Sequence, residues 1–225
     1  MNVHGIFFKP PIFNVFLGDQ MEEVYKEKIY SRFVSTKKDL IILDVGANVG
    51  VTSYYFSHYA KKVYALEPST EHFEVLQHMI KYNKLEKKII PIKKALYIRD
   101  GKEILYMGSN RTCYSLNASV QVAEGGKATT ENVETITIKS LLNEYGIPKV
   151  DFMKMDIEGN EPDVICHSDF EEVAPRIKII VFETHTWSLR NPNQIMDALK
   201  KYGYTVEVIQ VQGDTKLFAA VRYGN

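Results

Sequence analysis

The stretch DLIILDVGANVG, Asp39 to Gly50, constrains this chain more than any other. Its first half is a continuous apolar run of strand length, the pattern of a parallel strand buried on both faces. The run then breaks at Gly46 and Gly50 and passes into a helical pattern. A strand, a glycine turn and a helix bring backbone close to a ligand at the carboxyl end of an open α/β sheet.

The rest of the chain repeats that alternation. A helix is expected from Asp19 to about Arg32, with Asp19 as its cap, and another from Asn48 to Tyr59. A strand at Val63 to Leu66 stops at Pro68, a helix runs from Thr70 to Tyr82, and KKIIPIKKAL reads as a third strand. Residues 97–135 change rhythm: ILYMG and VETITI look like short strands around a polar stretch, with too few apolar residues for a core of their own. A loop or small hairpin insertion is expected there. Order returns with a helix at Lys139 to Tyr145, a strand in KVDFMKMD, a helix after Gly159 and a strand in IKIIVFETH. A helix from Pro192 to Tyr202 follows, and YTVEVIQ and TKLFAAVR close the chain as an antiparallel pair. The whole reads as one α/β domain with a largely parallel sheet, preceded by a helical segment at 1–36 that belongs to it.

Composition narrows the partners. The chain has 28 basic and 28 acidic residues and no basic stretch, which disfavours nucleic acid. Cys113 and Cys166 have no companions at metal-ligand spacing, and GIFFKPPIFNVFLG lacks the basic start and unbroken apolar core of a signal peptide. A reduced, cytoplasmic protein with no membrane span is expected.

The turn itself discriminates between ligands. Asn48 stands where a dinucleotide fingerprint needs its second glycine, and Asp44 ends the first strand with a charge that repels phosphates and favours a cation. Glu67 ends the second strand, placed to accept hydrogen bonds from a ribose diol. A ligand with a positive group and no pyrophosphate suits this set, and S-adenosylmethionine carries an ammonium, a sulfonium and a ribose. A nucleotide-dependent oxidoreductase and a non-catalytic nucleoside-binding module remain the alternatives.

LDVGANVG, VYALEPS and VDFMKMDIEGNE together resemble, in this order, motifs of the FkbM family of S-adenosylmethionine-dependent methyltransferases, over roughly Ile41 to Glu183. The resemblance implies a Rossmann-like class I methyltransferase domain over 37–225, interrupted by the 97–135 insertion. Its sheet would be mostly parallel and seven-stranded, ordered 3-2-1-4-5-7-6 with strand 7 antiparallel and helices on both faces. It also implies S-adenosyl-L-methionine as cofactor and the hydroxyl of a sugar, glycan or small natural product as acceptor. Asp44, Gly46, Asn48 and Gly50 would surround the methionine part, Glu67 would take the ribose, and Pro68, Ser69 and Ala95 would shape the adenosine pocket. Asp156 would face the reactive end.

Methyl transfer requires an acceptor oxygen held in line and relieved of its proton. His185 is the expected general base, oriented by Asp156 or Glu183. Lys154 and Glu158, with Arg111, Cys113, Tyr114 and Trp187, are expected to meet the substrate. Asp156 and Glu183 would suit Mg²⁺, but Lys154 is present to balance them and no metal is expected. His58, His72 and His78 fall on flanking helices and read as surface or structural residues.

Overall fold

The computed structural model describes residues 2–3, 6–7, 21–108, 114–118, 129–184, 192–212 and 215–223. Seven strands form the main sheet: β1 (Leu40–Val45), β2 (Ala60–Leu66), β3 (Ile89–Ile92), β4 (Phe152–Met155), β5 (Ile179–Thr184), β6 (Thr205–Gln212) and β7 (Thr215–Val221). Their order is 3-2-1-4-5-7-6, with β7 antiparallel to β5 and β6 and every other neighbouring pair parallel. This is the order that the sequence motifs imply. Helices α1 (Val51–Ser57), α2 (Thr70–Tyr82), α3 (Ile138–Glu144), α4 (Glu161–Ile165), α5 (Ser168–Val173) and α6 (Pro192–Lys201) pack around it. Among the described residues no helix is long and apolar enough to cross a membrane.

The strand period of two splits the core into two layers. Ile42, Phe152, Ile179 and Val181 project to one face, where they meet Phe56 of α1 and Leu76 of α2. Leu43, Val45, Met153 and Phe182 project to the other, against Leu141 of α3, Phe170 of α5 and Leu199 of α6. On the first face the alternation ends in polar side chains at the carboxyl edge: Asp44 after Ile42, Glu67 after Ala65, Lys154 and Asp156 after Phe152, and Glu183 after Val181. One face of the sheet is therefore apolar along its length and charged at its tip.

Four expectations change. The single helix from Asp19 to Arg32 is, in its described part, a wide turn of π-helix at Glu22–Glu27 and a separate helix at Ser31–Val34. Lys28 breaks it by adopting a left-handed conformation (φ 56°), which turns Tyr30 inward onto Phe56 and Phe152. The third strand does not run on to Leu96: it stops at Ile92, and Ala95–Leu96 pairs with Thr135 and Ile136 instead. The insertion is more than a hairpin. Strands Ala95–Leu96, Gly101–Met107, Tyr114–Ser115 and Thr129–Ile136 make a second, four-stranded sheet around Ala95, Leu105 and Val133. Too few apolar residues for a core were expected there, but Ala95, Leu105 and Val133 form a small cluster of their own, with Met107, Tyr114 and Leu116 packed against it. The helix expected after Gly159 is also divided, into α4 and α5.

Gly50 caps α1 at φ 95°, and a Cβ there would collide with Leu76 and Met79 of α2. The glycine lets the start of α1 pass close against the middle of α2, a packing role. Gly50→Ala should therefore destabilise the protein by about 1–3 kcal/mol through strain and collision. Urea unfolding measures this, and an unchanged midpoint would contradict it.

Candidate active site

Lys154 organises the carboxyl edge. The pairing of β1 with β4 sets Lys154 opposite Asp44. Its ammonium donates to the carbonyl oxygen of Gly46 at 2.7 Å and stands 3.9 Å from Asp44 Oδ1 and 3.4 Å from Asp156 Oδ2. The residue is only 5% exposed. Burial disfavours its charge, but the Asp156 and Asp44 carboxylates outweigh that and raise its pKa above the ordinary value. Lys154 is thus held inside the protein by these three partners.

Asp44 is fully enclosed. Its Oδ2 accepts hydrogen bonds from Thr52 Oγ1 at 2.7 Å and Ser53 Oγ at 2.5 Å, both in the first turn of α1, while Oδ1 has no hydrogen-bond partner. Burial raises its pKa, opposed by Lys154 and the two hydroxyls. The cation it faces is Lys154, so Asp44 lies beneath the glycine turn. Gly46, at φ 78°, crosses so close to β4 that a Cβ would strike the carbonyl oxygen of Asp156.

Glu67 closes the turn from β2. Its Oε2 accepts from the Asn48 amide at 2.9 Å and its Oε1 from the Ser69 amide at 3.0 Å. Each oxygen keeps a further lone pair, and burial pushes the carboxyl up to about 7 against those two amide bonds. Asn48 takes a left-handed conformation (φ 50°), and its Oδ1 accepts from Val49 N. Ser69 caps α2, with Pro68 part-exposed beside it. His72 is a further member that the sequence reading set aside: it is buried, 3.8 Å from Glu67 Oε1, and its ring stacks on Tyr114 of the second sheet at 4.4 Å. Ala95 lies instead in the core of that sheet.

The second sheet is fastened to the loop after β4. Ser115 Oγ donates to the Glu158 carbonyl at 2.6 Å and accepts from Asn160 Nδ2 at 2.9 Å and Asn117 N at 3.0 Å. From the other side Glu161, wholly buried, accepts from Ile157 N at 2.7 Å and Gly159 N at 3.0 Å. Burial raises its pKa to about 8. Glu158 is held at φ 55° between these supports. Glu161, the last residue of the DIEGNE motif, thus braces the loop, a role that spacing alone did not reveal.

Asp156 and Glu183 meet across β4 and β5, because the pairing of Met155 with Phe182 sets them opposite one another at the next position. Their side chains hydrogen-bond, and burial, the Asp156 charge and the Glu158 charge push Glu183 up to about 10. Glu183 is therefore the proton donor of the pair near neutral pH. The two acids line a cavity with Glu23 and Tyr30 from the N-terminal segment, two residues that no motif flagged. His185, Arg111, Cys113 and Trp187 lie outside the described residues.

A mostly parallel sheet of this order, with a glycine turn after β1 and acids ending β2, β4 and β5, defines a Rossmann-like class I methyltransferase fold. The chain belongs to the FkbM methyltransferase family: residues 44–206 match the methyltransferase FkbM domain, and it is an enzyme of the S-adenosylmethionine-dependent class. It is 23% identical to the AMB antimetabolite synthetase AmbE of Pseudomonas aeruginosa, over 84% of this chain but 11% of that protein. It is also 23% identical to the hexuronic acid methyltransferase AglP of Haloferax volcanii, over 79% of this chain and 69% of that one. In fold it resembles the precorrin-6y C5,15-methyltransferase of Geobacter metallireducens, at a TM-score of 0.53 and 14% identity over 97% of this chain and 94% of that one. It likewise resembles the 16S rRNA methyltransferase RsmC of T. thermophilus, solved with AdoMet and guanosine, at a TM-score of 0.54 and 13% identity over 99% and 49% of the two chains.

The buried acids make stability depend on pH. Glu67, Glu161 and Glu183 hold their protons up to about 7, 8 and 10 when folded, against an ordinary value of 4.5. Their contribution is fully present below the ordinary value and is lost as pH rises through the folded ones. The unfolding free energy should therefore fall from about pH 5 to about pH 8, and Glu183→Gln, which still donates to Asp156 but cannot ionise, should reduce the slope by up to about 1.4 kcal/mol per pH unit. Urea titrations across that range test this; parallel slopes would show that Glu183 ionises normally.

Proposed function

We propose that this enzyme binds S-adenosyl-L-methionine at the glycine turn and methylates a hydroxyl of a sugar, glycan or small natural product, with Asp156 receiving the hydroxyl proton. The observation that carries this reading is the Asp156–Glu183 pair, set beside the turn by the contact of Gly46 with the Asp156 backbone. When bound, the cofactor supplies an electrophilic methyl group on a sulfonium.

The residues present suit such a ligand. Asp44 and Asp156 share one ammonium, that of Lys154, and leave the strand tips negative, which favours a cation. Glu67 keeps lone pairs for a diol. Asp156 orients the acceptor hydroxyl and takes its proton, Lys154 balances the Asp156 carboxylate, and Glu183 donates to it and holds its rotamer. A sugar as acceptor is supported by AglP, a hexuronic acid methyltransferase. The DIEG sequence after β4 lacks the polar-proline-proline-aromatic motif frequent in amino-group methyltransferases, which weighs against a nucleic-acid base as acceptor.

Titration with S-adenosylhomocysteine and with NAD is the first test, and the thioether alone should bind. Glu67→Ala should weaken that binding by about 1–3 kcal/mol. In a screen of hydroxylated acceptors with labelled cofactor, Asp156→Asn should lower transfer by roughly 10²-fold with near-normal S-adenosylhomocysteine affinity, and chelation should leave the rate unchanged. A full rate in Asp156→Asn and a large loss in His185→Gln would move the proton transfer to His185.

A further inference from the structure

The cavity over Asp156 and Glu183 takes most of its walls from outside the stretch that matches the family. The two acids lie within residues 44–206, but Glu23, Ile29 and Tyr30 come from the segment before it. Gln210, Thr215 and Leu217 come from the β6–β7 hairpin after it. These two flanking segments hold each other: Arg32 donates to Glu207 at 2.8 Å and Gln210 to Glu27 at 2.7 Å. An irregularity in the pairing between Val208 and Gln210 offsets the strand just before it reaches the cavity, the kind of bulge that re-aims a side chain.

We infer that these flanking segments select the methyl acceptor, and that they select an uncharged, polyhydroxylated ring over one bearing a carboxylate. The inference rests on the methyltransferase reading above and names the substrate class of that same site. Among the described lining residues none is basic. The Lys154 ammonium beside Asp156 is committed to Gly46, Asp44 and Asp156. Among the described residues, a carboxylate entering here would meet the acids of Glu23 and Asp156 first, with Lys28 and Arg32 set in the adjoining cavity beyond Ile29 and Gln210, and Arg32 engaged by Glu207, whereas hydroxyls would donate to the acids. Ile29 and Leu217 offer apolar flanks to the C–H faces of a ring, and Gln210 and Thr215 add donors and acceptors, the mixture that orients a small polar molecule. The acceptor preference should thus differ from that of the hexuronic acid methyltransferase AglP even though the two chains are 23% identical.

The test is a competition between matched acceptors. The protein is given labelled S-adenosylmethionine and pairs of methyl glycosides, each neutral hexoside against its uronate counterpart. Neutral members should be labelled at least tenfold faster than uronates. Glu23→Gln should narrow that ratio at least threefold through the acceptor KM, with S-adenosylhomocysteine affinity changed less than twofold. Equal or faster labelling of uronates would overturn the inference, as would a ratio that Glu23→Gln leaves intact. No labelling of any sugar while S-adenosylhomocysteine binds would overturn it too. Failure of S-adenosylhomocysteine to bind would instead sink the methyltransferase reading on which it rests.

Discussion

The site depends on one buried ammonium. Lys154 ties the carbonyl of the glycine turn to the two carboxylates at the ends of β1 and β4, and it does so at 5% exposure. A buried charge network of this kind adds little net stability over an apolar core, but removing one partner leaves the others uncompensated. Asp44 in particular has one oxygen without a hydrogen bond and only Lys154 to face it. The position of the turn over β4 is set by that charge and by the absence of a side chain on Gly46, which touches the backbone of Asp156.

The second sheet is part of the same construction. Through Ser115 it holds the loop after β4, and through Tyr114 it covers His72 beside Glu67. Glu131, in its long strand, accepts from the Thr70 amide at 3.1 Å and so caps the start of α2. Three contacts from one insertion therefore fix the ends of β2 and β4 relative to each other. Positioning of this sort within a fraction of an ångström is what an in-line transfer demands.

The acids of the site divide by environment. Glu161 is closed in and braces a loop, Glu67 keeps spare lone pairs at the turn, and Glu183 is driven to its neutral form by burial and by its neighbours. Neighbouring carboxyls with separated proton affinities are the usual material of proton transfer. Here all three are glutamates out of bulk water, and the separation arises from what surrounds each: amide donors at Glu67 and Glu161, other carboxylates at Glu183.

Local pattern was enough for the order of strands and helices: α2 spans Thr70–Tyr82 as expected, and the glycine turn follows β1 where the apolar run ends. Those features are written in neighbouring residues, and the three motifs extended them to the family and the strand order. The same pattern failed where long-range pairing competes with propensity. The third strand's apolar run continued to Leu96, but Ala95 and Leu96 found partners in Thr135 and Ile136, about 40 residues away. The N-terminal helix broke at Lys28 because Tyr30 gains a buried place against Phe56 and Phe152. Asp44, Asp156 and Glu67 could be named from the sequence as polar ends of strands, whereas the depth of Lys154, the bracing by Glu161 and the arrival of Glu23 and Tyr30 could not. Charge and burial depend on which residues distant in the chain come to lie around a group, and only the folded chain determines that.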